Sequence, residues 1–350
     1  MSSAEKSLGK SRSFYDYLKL SFVGFAMGVA NVIPGVSGGT IAFISGIYEE
    51  LISSIRAFAS VSTIKKVLTL KVKELYLEMP WAFLLAIAVG TLFAFATVAK
   101  LVTWLLVEHE SFTFAAFLGM IAGSILTVLK MVKKWDYTCF AALLIGTVVA
   151  YFIVTMIPCE TPNLWWISFL SGIVVIIAMI LPGISGSFLL LVMGQYKYVW
   201  GAISDMSRLN FSIEAFLTCF WMGLGSAIGL GAFSHCLNWL FKRWHDVTVS
   251  TLIGFMVGSM WRLWPWQETV VFSAKLGKEV RRISIPPATT ETIEQIRNSG
   301  AKITPLVQKN LIPQNFDASF FFVVILFIVG FACVMLMEYY ANKNDKTAKE

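Results

Sequence analysis

One short motif, Pro-Gly-x-Ser-Gly, occurs twice in this chain, each time between two strongly apolar segments. The first copy starts at Pro34 and the second at Pro182. Proline removes a backbone amide donor and ends a helix, while glycine adds backbone freedom, so the motif interrupts a helix. Within a bilayer such a break is tolerated only where protein or a water-filled cavity satisfies the freed backbone groups. Two breaks at matching places therefore predict a functional site.

The composition around the motifs is that of a polytopic membrane protein. Of the 350 residues, 57% are hydrophobic and 14% are charged. Runs of about 18 or more apolar residues recur, which is typical of transmembrane helices. The polar stretch 1–17 lacks a signal-peptide pattern, and we interpret it as a cytoplasmic tail. The net charge of +7 fits a protein that faces anionic lipid, and no nucleic-acid partner is expected.

The apolar segments and the positions of lysine and arginine predict how the chain crosses the membrane. Residues 18–157 and 164–341 are each predicted to form a helical hairpin followed by three transmembrane helices. Basic residues flank both ends of the first hairpin and also follow the last span, so the positive-inside rule places the ends of this hairpin and both chain termini in the cytoplasm. Region 265–317 is predicted as an external loop, and 342–350 as a second cytoplasmic tail. The predicted elements are hairpin 18–55, spans 81–107, 112–130 and 137–157, hairpin 164–204, and spans 214–241, 247–264 and 318–341.

The arms of the first hairpin, 18–33 and 41–55, are short for independent spans. At about 1.5 Å per residue they would reach roughly 24 Å and 22 Å, whereas the hydrocarbon core is about 30 Å thick. A re-entrant hairpin with its tip part-way into the membrane is the simplest interpretation. A pair of short complete spans would leave the same topology.

The two halves of the chain match as an internal repeat. Aligning Pro34 with Pro182 also places Gly24 on Gly172, and a second alignment places Gly119 on Gly254. One hairpin is predicted to enter from each side of the membrane. The sequence therefore predicts an inverted-topology repeat, with a substrate site near the midplane where the broken helices meet. The alternative is a duplication kept for packing, in which the glycines only allow close helix contact.

The paired motifs, in a chain of this size and hydropathy, resemble the polyprenyl-phosphate translocase (PopT) family over roughly residues 14–341. The most specific part is Asn31-Val-Ile-Pro-Gly-Val-Ser-Gly-Gly-Thr40, and residues 181–186 support it. The resemblance implies translocation of undecaprenyl phosphate from the outer to the inner leaflet of the bacterial cytoplasmic membrane, which recycles this lipid carrier. The second copy has Met179 in place of Asn31 and Phe188 in place of Thr40, so equal roles for the two hairpins are not implied.

A lipid phosphate needs hydrogen-bond donors and positive potential inside an apolar passage. The start of the second half-helix of each hairpin offers amides without intrahelical partners, and the helix dipole there favours an anion. The residues predicted to bind the phosphate are Asn31, Ser37, Gly38, Gly39, Thr40, Ser185, Gly186, Ser187 and Lys100. The alternative for Ser37 and Ser185 is that each only caps its helix.

Two ionisable residues, Lys100 and His235, occupy matched positions inside predicted spans, where such residues mark pathways or proton relays. Lys100 could pair with a phosphate, and His235 could change charge near neutral pH. Each could instead extend to the nearer membrane interface. Glu49 is a second candidate for proton coupling, and Asn238 and Arg262 are weaker candidates for the site. The coupling ion would be H+ or Na+.

An enzyme is the competing class of protein. A lipid phosphatase needs a nucleophile with a general acid or a metal cluster, but the three histidines (His109, His235 and His245) are far apart in the sequence. The five cysteines lie singly, so neither a disulfide framework nor a zinc site is expected. We therefore predict a transporter without a cofactor. A transporter of a small anion or metabolite remains the alternative, because it uses the same half-helix chemistry. A homo-oligomer is left open.

Overall fold

The computed structural model describes residues 12–32, 38–58, 63, 66, 69, 79–159, 161–207, 212–276, 279–284, 302–313 and 316–347. These residues are mainly helical, which confirms the predicted helical membrane protein. The helices in chain order are α1 (Phe14–Val32), α2 (Gly38–Ile44), α3 (Tyr48–Phe58), α4 (Trp81–Thr97), α5 (Ala99–Glu108), α6 (Glu110–Leu129), α7 (Tyr137–Val154), α8 (Trp165–Ile180), α9 (Gly186–Val192), α10 (Tyr196–Ser207), α11 (Ile213–Arg243), α12 (His245–Ser259) and α13 (Ala318–Thr347). A short 3-10 helix, Met260–Leu263, follows α12.

Four of the described helices, α6, α7, α11 and α13, are long and apolar enough to cross a membrane. Helices α4 and α8 are apolar but shorter. Many large apolar side chains on the outside of the bundle are exposed, including Leu92 and Phe152. Such a surface is unfavourable in water and favourable against lipid. The chain is therefore a multi-pass membrane protein.

The region predicted as a loop, 265–317, contains a three-stranded antiparallel sheet. Its strands are β1 (Gln267–Leu276), β2 (Glu279–Ser284) and β3 (Lys302–Asn310), in the order β2-β1-β3. Strand β1 contains the run Thr-Val-Val-Phe, and β-branched and aromatic side chains of this kind favour extended backbone. The external loop predicted for this region therefore contains strands that the sequence did not predict, because charged and polar residues surround this short β-forming run.

The described helices pack in pairs, and the pairs repeat between the two halves. Helix α1 packs on α4 as α8 packs on α11, while α6 packs on α13 as α12 packs on α7. Glycines make these contacts close: a Cβ added to Gly24 or Gly172 would lie 2.3 Å from the carbonyl oxygen of the facing helix. The Thr91 hydroxyl donates to the Gly24 carbonyl at 2.9 Å, and the Ser226 hydroxyl donates to the Gly172 carbonyl at 3.3 Å. The sequence repeat thus aligns residues that make equivalent contacts.

The second half-helices of the two hairpins end in the same way. Gly46 and Gly194 follow α2 and α9, and both have a φ angle of +71°. In this left-handed conformation glycine avoids the clash that a Cβ would cause, so it commonly ends helices. The next amide bonds back into the helix in each case, from Ile47 to the Ala42 carbonyl and from Gln195 to the Leu190 carbonyl, both at 3.1 Å. These turns direct the chain into α3 and α10.

Candidate functional site

The two helix breaks lie in contact with each other. We define the first tip by its described residues, Asn31 and 38–40, and the second tip as residues 181–187. The Gly183 amide donates a hydrogen bond to the Thr40 hydroxyl at 3.0 Å, and Thr40 is only 1% exposed. Gly183 has a φ angle of +88°, a conformation that favours glycine. The Tyr48 hydroxyl also donates to the Ile180 carbonyl at 3.0 Å. The hairpins are therefore joined where their helices break.

The first tip is organised by the side chain of Asn31, at the end of α1. Its Oδ1 accepts a hydrogen bond from the Gly38 amide at 2.7 Å, where α2 begins. A Cβ on Gly38 would lie 2.8 Å from Nδ2 of Asn31, so glycine allows this close approach. One of the free amides at the start of α2 is thus already satisfied by the protein. Ser37, which the sequence placed here, lies outside the described residues.

The second tip is organised by Ser185, the residue before α9. Its hydroxyl accepts from the Phe188 amide at 3.5 Å and lies 2.9 Å from the Ser187 hydroxyl. Ser185 is buried, whereas Ser187 is exposed. The structure thus contains the capping interaction that the sequence offered as the alternative role of Ser185. Helix α9 has 7 residues, about two turns, so its dipole is small. The serine hydroxyls and the first backbone amides are therefore the main groups that could attract an anion here.

A cavity of about 270 Å³ joins the two tips. Asn31 lines it from the first tip, and Ser185, Gly186 and Ser187 line it from the second. Its other walls are apolar and come from Phe95, Val175, Met179, Ile184, Leu190, Val199, Trp200 and Ile203. Four residues predicted to bind phosphate therefore line one cavity, which we call the tip cavity. Its few hydrogen-bonding groups in an apolar wall are typical of a ligand site.

The other predicted phosphate residues have different positions. Gly39 lies against the second tip, where an added Cβ would be 2.4 Å from the Ile180 carbonyl oxygen. Thr40 is buried in the contact between the tips. Lys100 lies in α5, but its side chain is outside the described part of the structure. The prediction for Lys100 therefore stays a prediction.

The structure separates the residues proposed for proton coupling. Nδ1 of His235 lies 2.8 Å from the Gly231 carbonyl, one turn earlier in its own helix. Oε1 of Glu49 instead lies 3.2 Å from Nε2 of His245, whose Nδ1 is 3.1 Å from Asp246. Sequence reasoning missed His245, because it precedes the apolar run of α12 and its partner Glu49 belongs to the other half of the chain.

The carboxylate of Asp246 connects this group to the turn between α6 and α7. Burial acts to raise its pKa, but a hydrogen bond from His245 and others from the Lys133 and Lys134 amides outweigh burial, and the pKa is lowered. The amide bonds measure 3.2 Å and 3.0 Å. The ionised form of Asp246 is therefore the form that the fold stabilises.

We expect Asp246→Asn to lower the free energy of unfolding at pH 7 by about 1 kcal/mol, because a charged acceptor is replaced by a neutral one. A carboxylate with a lowered folded-state pKa contributes stability that is fully present above its unfolded-state pKa of about 3.9 and is lost as the pH falls through the folded-state value. The difference in the free energy of unfolding between Asp246→Asn and the unchanged protein should therefore shrink towards about pH 3. Thermal unfolding in detergent at both pH values measures it. An equal deficit at both would contradict this assignment.

The weaker candidates, Asn238 and Arg262, lie in different surroundings. Asn238 is buried, where its Oδ1 accepts from Arg56 at 2.9 Å and its Nδ2 donates to Ser53 at 3.2 Å, so it joins α11 to α3. The guanidinium carbon of Arg262 lies 5.7 Å from the ring centroid of Phe188 in α9. Arg262 thus brings a positive charge beside the second tip, where cation–π attraction holds it. Arg262 is far from the second tip in the sequence, so this proximity could not be predicted.

Among the described residues, no group of three or more His, Cys, Asp or Glu side chains could hold a metal ion. The donors of the tip cavity are an amide side chain, hydroxyls and backbone amides, which suit an oxyanion.

Comparison with known proteins places these observations in a family. Residues 27–280 match the model of the VCA0040-like family, described as undecaprenyl phosphate translocase-like. The chain belongs to this family. The match includes both tips and the whole tip cavity.

Two relatives of this chain have the same name, polyprenyl-phosphate transporter. The polyprenyl-phosphate transporter of Vibrio cholerae serotype O1 is 35% identical over 334 residues, which cover 94% of this chain and 98% of that protein. The polyprenyl-phosphate transporter of Staphylococcus aureus is 32% identical over 254 residues, which cover 69% of this chain and 84% of that protein. No solved structure matches the chain.

Proposed function

We propose that this protein is a transporter, not an enzyme, that translocates undecaprenyl phosphate from the outer to the inner leaflet of the bacterial cytoplasmic membrane. The observation that carries the proposal is the tip cavity, where Asn31 of one hairpin faces Ser185, Gly186 and Ser187 of the other. The family of the chain and the names of its two relatives support the same substrate class.

The tip cavity has the chemistry to replace water around a phosphate. Hydrogen bonds to a charged group contribute about 1.5–3 kcal/mol each after the exchange with water is counted, so a few donors favour the bound headgroup. The hydroxyls of Ser185 and Ser187 and the amide of Asn31 can donate, and the first amides of α9 have no intrahelical acceptor. Arg262, beside Phe188, adds a positive charge near the second tip.

An inverted-topology repeat with re-entrant hairpins would let such a site face either leaflet. The equivalent helix pairs, α1 with α4 and α8 with α11, support this arrangement, as does the contact between the tips. In it, both termini lie in the cytoplasm and the hairpin of each half enters from its own side. Single cysteines introduced at Ser13 and Ile312 should then react with impermeant reagents from opposite sides of the membrane. Labelling of both from one side would contradict the topology.

Proton coupling fits the pair Glu49 and His245 better than the pair predicted from the sequence. The carboxylate of Glu49 is 3.2 Å from His245, and a proton shared there would change the contact between α3 and α12. We expect His245→Gln to weaken the dependence of transport on an imposed pH gradient in proteoliposomes. The variant His235→Gln is the matched control and should behave as the unchanged protein. If His235→Gln weakens this dependence and His245→Gln does not, then His235 is the coupling residue and His245 is not.

Asn31→Asp tests the tip cavity directly. The aspartate keeps an acceptor for the Gly38 amide and adds a negative charge at the cavity wall. Two like charges about 4 Å apart repel by about 4 kcal/mol at an effective dielectric of 20, so undecaprenyl phosphate should bind at least about tenfold more weakly. The melting temperature should change little, because the carboxylate is favourable at the start of α2 and unfavourable at the end of α1.

The control for this variant is Asn238→Asp, which adds the same charge next to Arg56 and away from the tips. It should leave the affinity for undecaprenyl phosphate unchanged. An unaltered affinity in Asn31→Asp would exclude the tip cavity as the phosphate site. Stabilisation by a soluble anion but not by the lipid would instead favour the small-anion transporter.

The translocation itself is tested in cells. Depletion of this protein should increase the undecaprenyl phosphate accessible at the outer surface, because the carrier is no longer returned to the inner leaflet. An unchanged surface pool, in cells that lack other carriers of this lipid, would contradict the proposed function.

A further inference from the structure

A second cavity, of about 280 Å³, lies beside the first tip. Phe25 and Val29 of α1, with Met120 and Ile121 of α6, make most of its wall apolar, and it reaches Thr40. Phe22, also in the wall, is 70% exposed. The cavity therefore opens towards the outside of the bundle, between α1 and α13.

The second half of the chain fills the corresponding space. In the repeat, Thr40 aligns with Phe188 and Met120 aligns with Phe255. The two phenylalanines pack against Ala178 and Leu189 in a buried cluster. The cavity is therefore a feature of the first half and does not follow from the repeated helix packing alone.

The two cavities are lined by neighbouring residues at the end of α1. Ala30 lines the apolar cavity and its neighbour Asn31 lines the tip cavity. Adjacent Cα atoms are about 3.8 Å apart, so one amphipathic molecule could place its charged end in one cavity and its apolar end in the other. Such a molecule has its phosphate attached directly to an apolar chain.

We propose that the apolar cavity binds the isoprene units nearest to the phosphate of the substrate, and we call it the chain cavity. This inference rests on the proposed function and adds where the lipid chain lies. The chain cavity is slightly smaller than the roughly 300–1,000 Å³ of small-ligand pockets, so it accommodates a few isoprene units and leaves the rest of the chain in the bilayer. Its opening beside the exposed Phe22 provides the exit for that remainder.

The chain cavity makes affinity depend on the chain as well as on the phosphate. The loss of one methylene contact in an apolar pocket changes binding by about tenfold or more. The protein should therefore bind undecaprenyl phosphate far more tightly than inorganic phosphate, and it should bind a phosphate carrying one isoprene unit with intermediate affinity.

Ala26→Phe tests this inference, because Ala26 lines the chain cavity and the added ring would occupy it. We expect the affinity of the full-length protein in detergent for undecaprenyl phosphate to fall at least about tenfold, with the affinity for inorganic phosphate unchanged. The matched control is Val174→Phe, at the aligned position of the second half, where the side chain is exposed. It should bind both ligands as the unchanged protein does.

A second measurement leaves the residues that line the chain cavity unchanged. Cys333 lines the chain cavity and is exposed. In a variant whose other four cysteines are replaced by alanine, undecaprenyl phosphate should slow maleimide labelling of Cys333 several-fold relative to phospholipid alone, whereas inorganic phosphate should not.

The outcomes separate this inference from the proposed function. If the unchanged protein binds undecaprenyl phosphate but Ala26→Phe binds it equally well and Cys333 is not protected, the chain lies elsewhere and the chain cavity is excluded, while the function stands. Equal protection by phospholipid alone would assign the cavity to bulk lipid. If the unchanged protein does not bind undecaprenyl phosphate at all, the proposed function itself fails, and the chain cavity with it.

Discussion

Replacing Gly39 with alanine is expected to abolish transport of undecaprenyl phosphate. The added Cβ would lie 2.4 Å from the Ile180 carbonyl oxygen, closer than two such atoms can approach. Because the obstacle is backbone, the two tips must separate for the side chain to fit. Overpacking of this kind costs about 1–3 kcal/mol, so the melting temperature should fall while the protein remains folded. Transport in proteoliposomes and thermal unfolding in detergent measure the two effects.

The control for this substitution is Gly201→Ala, in α10. A Cβ at Gly201 has no heavy atom within 4 Å, so alanine should be tolerated there and could stabilise the helix slightly. If Gly39→Ala loses transport and Gly201→Ala does not, the loss is caused by separation of the tips and not by a change in helix propensity. Full activity in Gly39→Ala would mean that the tips separate without loss of function, and that the observed contact is unimportant.

Thr40→Val is expected to have the next largest effect. Valine has nearly the same shape as threonine but cannot accept the hydrogen bond from the Gly183 amide, which is 3.0 Å long. A buried amide left without an acceptor costs about 1–3 kcal/mol. We therefore expect a comparable fall in the free energy of unfolding, together with reduced transport, because Gly183 positions the second tip.

Thr40→Ser separates the hydrogen bond from the shape of the side chain. Serine keeps the hydroxyl and loses one methyl group, so most of the stability and transport should return. If Thr40→Ser and Thr40→Val lose the same amount, then packing of the methyl group matters and the hydrogen bond does not. Urea unfolding monitored by tryptophan fluorescence gives the comparison.

Much of the candidate site could be predicted from local sequence. Pro34 and Pro182 mark the breaks, because a proline inside an apolar helical run removes a backbone hydrogen bond and kinks or ends the helix. The serines after Pro182 follow from the amides and dipole at the start of a half-helix, which favour an anion, and Asn31 follows from the motif that resembles the family. These residues line the tip cavity. The strands of region 265–317 were missed, because polar flanks concealed a short β-forming run.

Pairings between distant residues could not be predicted. His235 matched Lys100 in the repeat, but its ring bonds to the Gly231 carbonyl of its own helix. Glu49 instead meets His245, and Arg262 meets Phe188. The last two contacts each join residues from different elements. The rotation of each helix about its own axis decides which side chains meet, and the repeat does not specify that rotation.

The sequence by itself determined the class of protein, the internal repeat and the two helix breaks. These follow from apolar run length, from recurring glycines and from the backbone limits of proline, all of which act locally. Only the tertiary structure decided which tip residues face the tip cavity and which hold the tips together. Asn31 and Ser187 line the tip cavity, whereas Gly39 and Thr40 are used for contact. The physical reason is that close packing between the two halves, and not the residue type, fixes the direction in which each short helix presents its side chains.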